Sequence, residues 1–171
     1  MRLFGYVHDL GLRVASYFRA ERKAVDDPEP LEFGDVDMTF PVEIRIDETP
    51  VSLQARAESK ANWKDRVRRA VDQTLDLSGW ATESPVAVTI FYFPDGPMIG
   101  DVDNIVKLIL DGMKPRVYVD DAQVYRVVAQ KFEPDEPSEF TNPTESLAAA
   151  IDADRPMVYI RIDSRSTQEL Q

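Results

Sequence analysis

Residues 100–131 read GDVDNIVKLILDGMKPRVYVDDAQVYRVVAQK, and the spacing of polar and apolar residues within them points to a helix followed by a strand. A helix is expected over 103–113, with Asp101 or Asp103 as its cap and Pro115 as its stop. Ile105, Leu108 and Ile109, together with Val106, Leu110 and Met113, make that helix apolar on most sides, so it belongs against a sheet. A strand is expected over 117–132, where apolar and polar residues alternate on either side of Asp120 and Asp121. A lone helix between two strands suits a parallel crossover.

Upstream, PVAVTIFYF over 85–93 is rich in β-branched and aromatic residues and reads as the strand that feeds this helix through a turn at Pro94-Asp95-Gly96-Pro97. Before it, a long helix is expected over 59–77, with Trp63, Val67, Ala70, Val71 and Leu75 on its apolar side. A strand is expected over 39–46. Downstream, 134–154 carries three prolines and many acids and reads as a surface insertion or mobile loop, after which PMVYIRI over 156–162 returns to strand. The order strand, helix, strand, helix, strand, strand predicts an α/β or α+β fold in which a small mixed sheet carries helices on one face.

The expected domain spans 38–165, with an acidic insertion at about 133–155 and a frayed tail over 166–171. Ahead of it, Leu3, Val7, Leu10, Val14 and Tyr17 recur at helical spacing, and 26–37 reads as an acidic linker; 1–37 is therefore expected as an amphipathic helix and linker. The N-terminal stretch lacks the apolar run of a signal peptide, and no stretch reaches the roughly 18 apolar residues of a membrane span, which points to a cytoplasmic protein without membrane contact.

The net charge of −11 argues against a nucleic-acid partner until it is divided along the chain. Residues 38–131 hold 14 acids and 12 bases, against 17 and 8 elsewhere, so the acidity lies in the flanking segments. Within the central part, Arg56, Lys60, Lys64, Arg66, Arg68 and Arg69 face only Glu58 and Asp65, a local balance of +4 over 14 residues. A charged helix face is usually just solvated; contact with phosphates is the other reading, and spacing alone does not choose.

The acids of the opening stretch carry the chemistry. Asp101 and Asp103 stand at the mouth of a helix, Lys107 and Asp111 follow on the same face one and two turns along, and Asp120 and Asp121 belong to the neighbouring strand. Grouped carboxylates beside an apolar core need a neutralising charge, and with no cysteine and His8 as the sole histidine, a metal here must be held by oxygen, as magnesium is. Such a cation makes hydroxide available near neutral pH and polarises a phosphoryl oxygen, and Lys107 is placed to offset charge on the phosphate. Taken singly, each acid is more simply a cap or a turn residue; taken together, a second acidic pair inside an apolar strand has no structural benefit. A calcium loop is disfavoured because the glycine at position six and the glutamate at position twelve are missing.

This constellation, D-x-D-N-x-x-K followed by an apolar residue and D-D-x-Q, resembles the RusA family of Holliday junction resolvases. The resemblance covers about 38–131 and the terminal strand, and it implies a RusA-like fold and a homodimeric, magnesium-dependent endonuclease, with manganese as substitute, that nicks branched DNA such as four-way junctions. By motif position it implies Asp101, Asp103 and Asp121 as metal ligands with Asp120 in support, Lys107 as the essential lysine, and Asn104 and Gln123 behind them. Lys114 and Arg116 join the basic helix as candidate DNA contacts. The competing expectation is a catalytically weak binding module or DNA mimic whose acidic segments, 26–37 and 133–154, engage a basic partner.

Overall fold

Branched apolar residues in alternation build four strands, and two amphipathic stretches build the helices that cover them. The computed structural model describes residues 38–75, 81–97 and 100–164. In chain order the elements are β1 (Val42–Ile46), α1 (Ala57–Thr74), β2 (Val86–Phe93), α2 (Asp103–Met113), β3 (Val124–Lys131), α3 (Glu145–Ile151) and β4 (Met157–Ser164). The helix and linker expected over 1–37 and the tail expected over 166–171 lie outside the described residues. No helix among those described is long and apolar enough to cross a membrane.

The strands pair in the order β1-β4-β2-β3, with β4 antiparallel to both β1 and β2, and β3 parallel to β2. Thus β2, α2 and β3 form a parallel crossover, the arrangement that a lone helix between two strands allows. The fold is α+β, on a mixed sheet as expected. The inner strands β2 and β4 are buried over most of their length, while β3 stands at an edge with Tyr125, Val127 and Val128 exposed.

Both expected helices cover one face. Trp63, Val67 and Val71 of α1 recur every four residues, and with Ile105, Leu108, Ile109 and Met113 of α2 they pack on Ile44, Val88, Ile90, Ile160 and Ile162 of the sheet. Where the helices meet, Gly112 of α2 lies so close to α1 that an added Cβ would fall 2.6 Å from Val67 Cβ and 3.0 Å from the Lys64 carbonyl oxygen. No side chain larger than hydrogen fits that crossing.

The opposite face is covered by the segment expected as an acidic insertion or mobile loop. It holds α3, a seven-residue helix, because Leu147, Ala150 and Ile151 share a helical face that packs with Phe91, Phe93, Phe132, Phe140, Met157 and Tyr159. Thr144 caps this helix by accepting from the Leu147 amide at 3.1 Å and donates to Glu43 Oε1 at 2.6 Å. The Tyr159 hydroxyl donates to the same Glu43 oxygen, and burial with that carboxylate pushes its pKa up to about 12.

The strand expected over 117–132 is interrupted. Asp120 Oδ1 accepts from the Ala122 amide at 2.8 Å, and Gln123 Oε1 accepts from the amides of Val119 and Asp120 at 2.8 and 2.9 Å. These side chains take backbone donors that a ladder would use, so Asp121–Gln123 winds into a single 3-10 turn and β3 begins only at Val124. Val117 and Tyr118 before the turn are fully buried.

Candidate active site

Gly100, at φ 107°, turns the chain into α2 through a conformation that L side chains rarely adopt. The helix then starts without a side-chain cap: Val102 occupies the cap position, with helical backbone angles, and neither Asp101 nor Asp103 caps it. This corrects the expected capping role. Both carboxylates stay exposed, and Asp103 stands in the first turn, where the helix dipole favours an anion. The Leu53 amide donates to the Asn104 carbonyl at 2.9 Å, which ties the approach to α1 against that turn. A cleft of about 300 Å³ opens beside Asp101, walled by Thr49, Pro50, Tyr92, Asp95 and Ile105 among others.

One turn along, Lys107 donates to Asp111 Oδ1 at 2.6 Å and to Asp121 Oδ2 at 2.7 Å. Lys114 Nζ lies 3.0 Å from the other oxygen of Asp121, but away from the hydrogen-bonding direction, so Asp121 Oδ1 is closed off from solvent with a charge beside it and no aligned donor. The bond from Lys107, with Lys114 nearby, holds the Asp121 carboxyl below the usual carboxylate range against the opposing effect of burial. In return, bonds to Asp111 and Asp121 raise the pKa of Lys107. Both groups are charged at neutral pH.

Gln123 positions this arrangement. Its oxygen holds the turn at Val119 and Asp120, while its nitrogen donates to the Thr82 carbonyl at 2.6 Å and the Ser84 carbonyl at 3.3 Å. The turn carrying Asp120 and Asp121 is thereby fixed to the segment entering β2. Asp120 spends Oδ1 on shaping the turn, so the acidic pair has a structural use after all, which corrects the expectation that it had none.

The resemblance implies that Asp101, Asp103 and Asp121 meet at one metal ion. Among the described residues, no three Asp, Glu or His side chains are grouped closely enough to hold a metal ion, and both oxygens of Asp121 face lysines instead. The donor set itself suits a hard dication, since Asp101 and Asp103 are free of capping duty and Asp121 Oδ1 lacks an aligned donor. The pairing of Lys107 with Asp111 is legible in their four-residue spacing; that of Lys114 with Asp121 has no local sequence signal.

The basic helix is partly neutralised. Arg66 pairs with Glu48 at 2.9 Å and Arg68 with Asp65 at 2.6 Å, while Lys60 donates to the Leu53 carbonyl at 3.3 Å. Arg116 pairs with Asp72 at 2.8 Å. Among the described residues, Arg56, Lys64 and Arg69 make no ion pair within the chain, so they remain the cations of this surface best able to face an outside anion.

The parallel crossover of a mixed sheet thus sets a lysine buttressed by two carboxylates at the surface of an α+β domain, with two further exposed acids at the start of the same helix. Residues 53–139, just over half of the chain, match the family model for Endodeoxyribonuclease RusA, and the matched span contains Asp101, Asp103, Lys107, Asp120, Asp121 and Gln123. The chain belongs to the RusA family of endodeoxyribonucleases and is thus an enzyme that hydrolyses phosphodiester bonds in DNA. A search of curated proteins returned no match. The family membership favours the nuclease over the binding-module expectation.

Proposed function

We propose that the protein is a magnesium-dependent, structure-selective endonuclease that resolves Holliday junctions or other branched DNA during recombination and repair, and that it works as a homodimer. One observation carries the reading: inside the RusA-matched span, Lys107 stands between Asp111 and Asp121, held and protonated. A lysine fixed by two carboxylates is a prearranged positive charge, ready to meet the charge that grows on a phosphate under attack. Asp101, Asp103 and Asp121 are the ligand set for Mg²⁺, with Mn²⁺ as substitute and Asp120 supporting the turn that carries Asp121. When bound there, the cation supplies a water of lowered pKa and polarises the phosphoryl oxygen.

The protein's own part is binding, orientation and charge. Gln123 holds the turn of Asp121 in place, and Asp111 keeps Lys107 from swinging into solvent. Arg56, Lys64 and Arg69 on α1 supply the contacts to phosphates on the junction arms, with Lys114 and Arg116 available once their ion pairs open. The open edge of β3, with Val127 and Val128 exposed, suits contact with a second copy. A two-fold dimer matches the symmetry of a four-way junction, which offers two equivalent strands.

The deciding experiment incubates the protein with a labelled four-way junction and Mg²⁺. Paired, symmetric nicks are expected from the wild type and none from Asp103→Asn. An inert wild type, or an Asp103→Asn variant that cuts as well as wild type, rejects the proposal.

A further inference from the structure

We propose that Lys114 is an exchangeable counter-ion of the site: its ammonium holds Asp121 while no dication is bound and cedes the carboxylate when one arrives. The inference rests on the metal-dependent endonuclease reading. It starts from an excess of partners, since two ammonium groups, Lys107 at 2.7 Å and Lys114 at 3.0 Å, converge on the single carboxylate of Asp121. With Asp111 included, two positive and two negative charges balance with no metal present. A dication joining Asp121 upsets that balance, and like charges so near one another force a cation out.

The geometry decides which one leaves. Lys107 keeps a second anchor, Asp111, at 2.6 Å on its own helix. Lys114 pairs, among the described residues, with Asp121 alone. Its contact is also the less directional of the two, for Asp121 Oδ1 receives no aligned hydrogen bond although it is closed off from solvent. An oxygen satisfied by charge rather than by a directed bond loses little when another cation replaces the first. Lys114 therefore competes with the metal, Lys107 does not, and the missing convergence of the three acids reflects the lysine-bound form of Asp121.

The test is calorimetric titration of the full chain with Mn²⁺ alone, without DNA, for wild type, Lys114→Gln and Lys114→Arg. Removing a competing ammonium from a partly exposed pair should tighten Mn²⁺ binding by roughly two- to fivefold, and the arginine variant should bind like wild type. Thermal melting checks that each variant is folded; if Lys114→Gln is not, Lys114→Met retains the aliphatic stem and takes its place. A folded charge-removed variant that binds Mn²⁺ no tighter than wild type overturns the exchange while leaving the endonuclease reading intact. Wild type that takes up no Mn²⁺ overturns both.

Discussion

Lys107 in the second turn of α2 and Asp121 in the turn before β3 meet at 2.7 Å, so one charged bond joins the helix to the strand of the same parallel crossover. Asp111 backs the bond from the next turn of the helix. The pair lies at the surface, where it stabilises the fold little, and its value is in the direction it gives an ammonium group.

Lys107→Met should therefore separate function from stability. Cleavage of a four-way junction is expected to fall by at least about a hundredfold in single-turnover assays, in keeping with the loss of a prearranged charge at a reacting phosphate. The melting temperature should stay within a few degrees of wild type, because exposed pairs contribute about 1 kcal/mol or less. A melting temperature that collapses together with activity would make Lys107 a structural residue.

The pH dependence of the pair has a defined sign. Asp121 titrates below its ordinary 3.8 in the folded state, so the stability it gains from Lys107 is fully present above that value and is lost as pH falls through the lower native pKa. Lys107 titrates above its ordinary 10.5, so its share is present below that value and is lost as pH rises past it. Urea unfolding of wild type and Asp121→Asn should thus differ by a constant, small amount from about pH 5 to 9, and the difference should shrink in acid. A difference that changes within the neutral range would assign the pairing to other groups.

Gln123→Leu leaves the amides of Val119 and Asp120 without their acceptor and the Thr82 and Ser84 carbonyls without their donor. A loss of about 1–3 kcal/mol is expected in urea unfolding, together with slower cleavage, since the turn that carries Asp121 is no longer held. Junction binding in the absence of divalent cations should hardly change, which a fluorescence anisotropy titration will show.

Gly112→Ala places a methyl group against Val67 and the Lys64 backbone at the crossing of α1 and α2. The helices must part, and destabilisation by about 1–3 kcal/mol is expected by denaturant titration. Unchanged stability would mean that the two helices have room to shift.

On the basic helix, Lys64→Ala and Arg69→Ala should each weaken junction binding for all sequences alike and lower the salt dependence of log K by roughly one. Arg66→Ala should do less, because its guanidinium already pairs with Glu48 at 2.9 Å. Binding isotherms at several salt concentrations read both effects.

Elements whose causes are local could be read from the order of residues alone. The apolar spacing and Pro115 delimit α2 at 103–113 as observed, β2 and β4 follow from their branched residues, and the four-residue interval already pairs Lys107 with Asp111. Local reading failed where side chains replace the ladder, at Asp120 and Gln123, and where a short helix is hidden among prolines and acids, at α3. Contacts that depend on strand order became visible only in the folded chain. Gln123 reaches Thr82 across 41 positions and Thr144 reaches Glu43 across 101, distances over which no periodicity carries information. The same holds for Asp121: spacing brings an acid to the right layer, but packing at the end of α2 puts Lys114 beside it and so governs what the carboxylate meets.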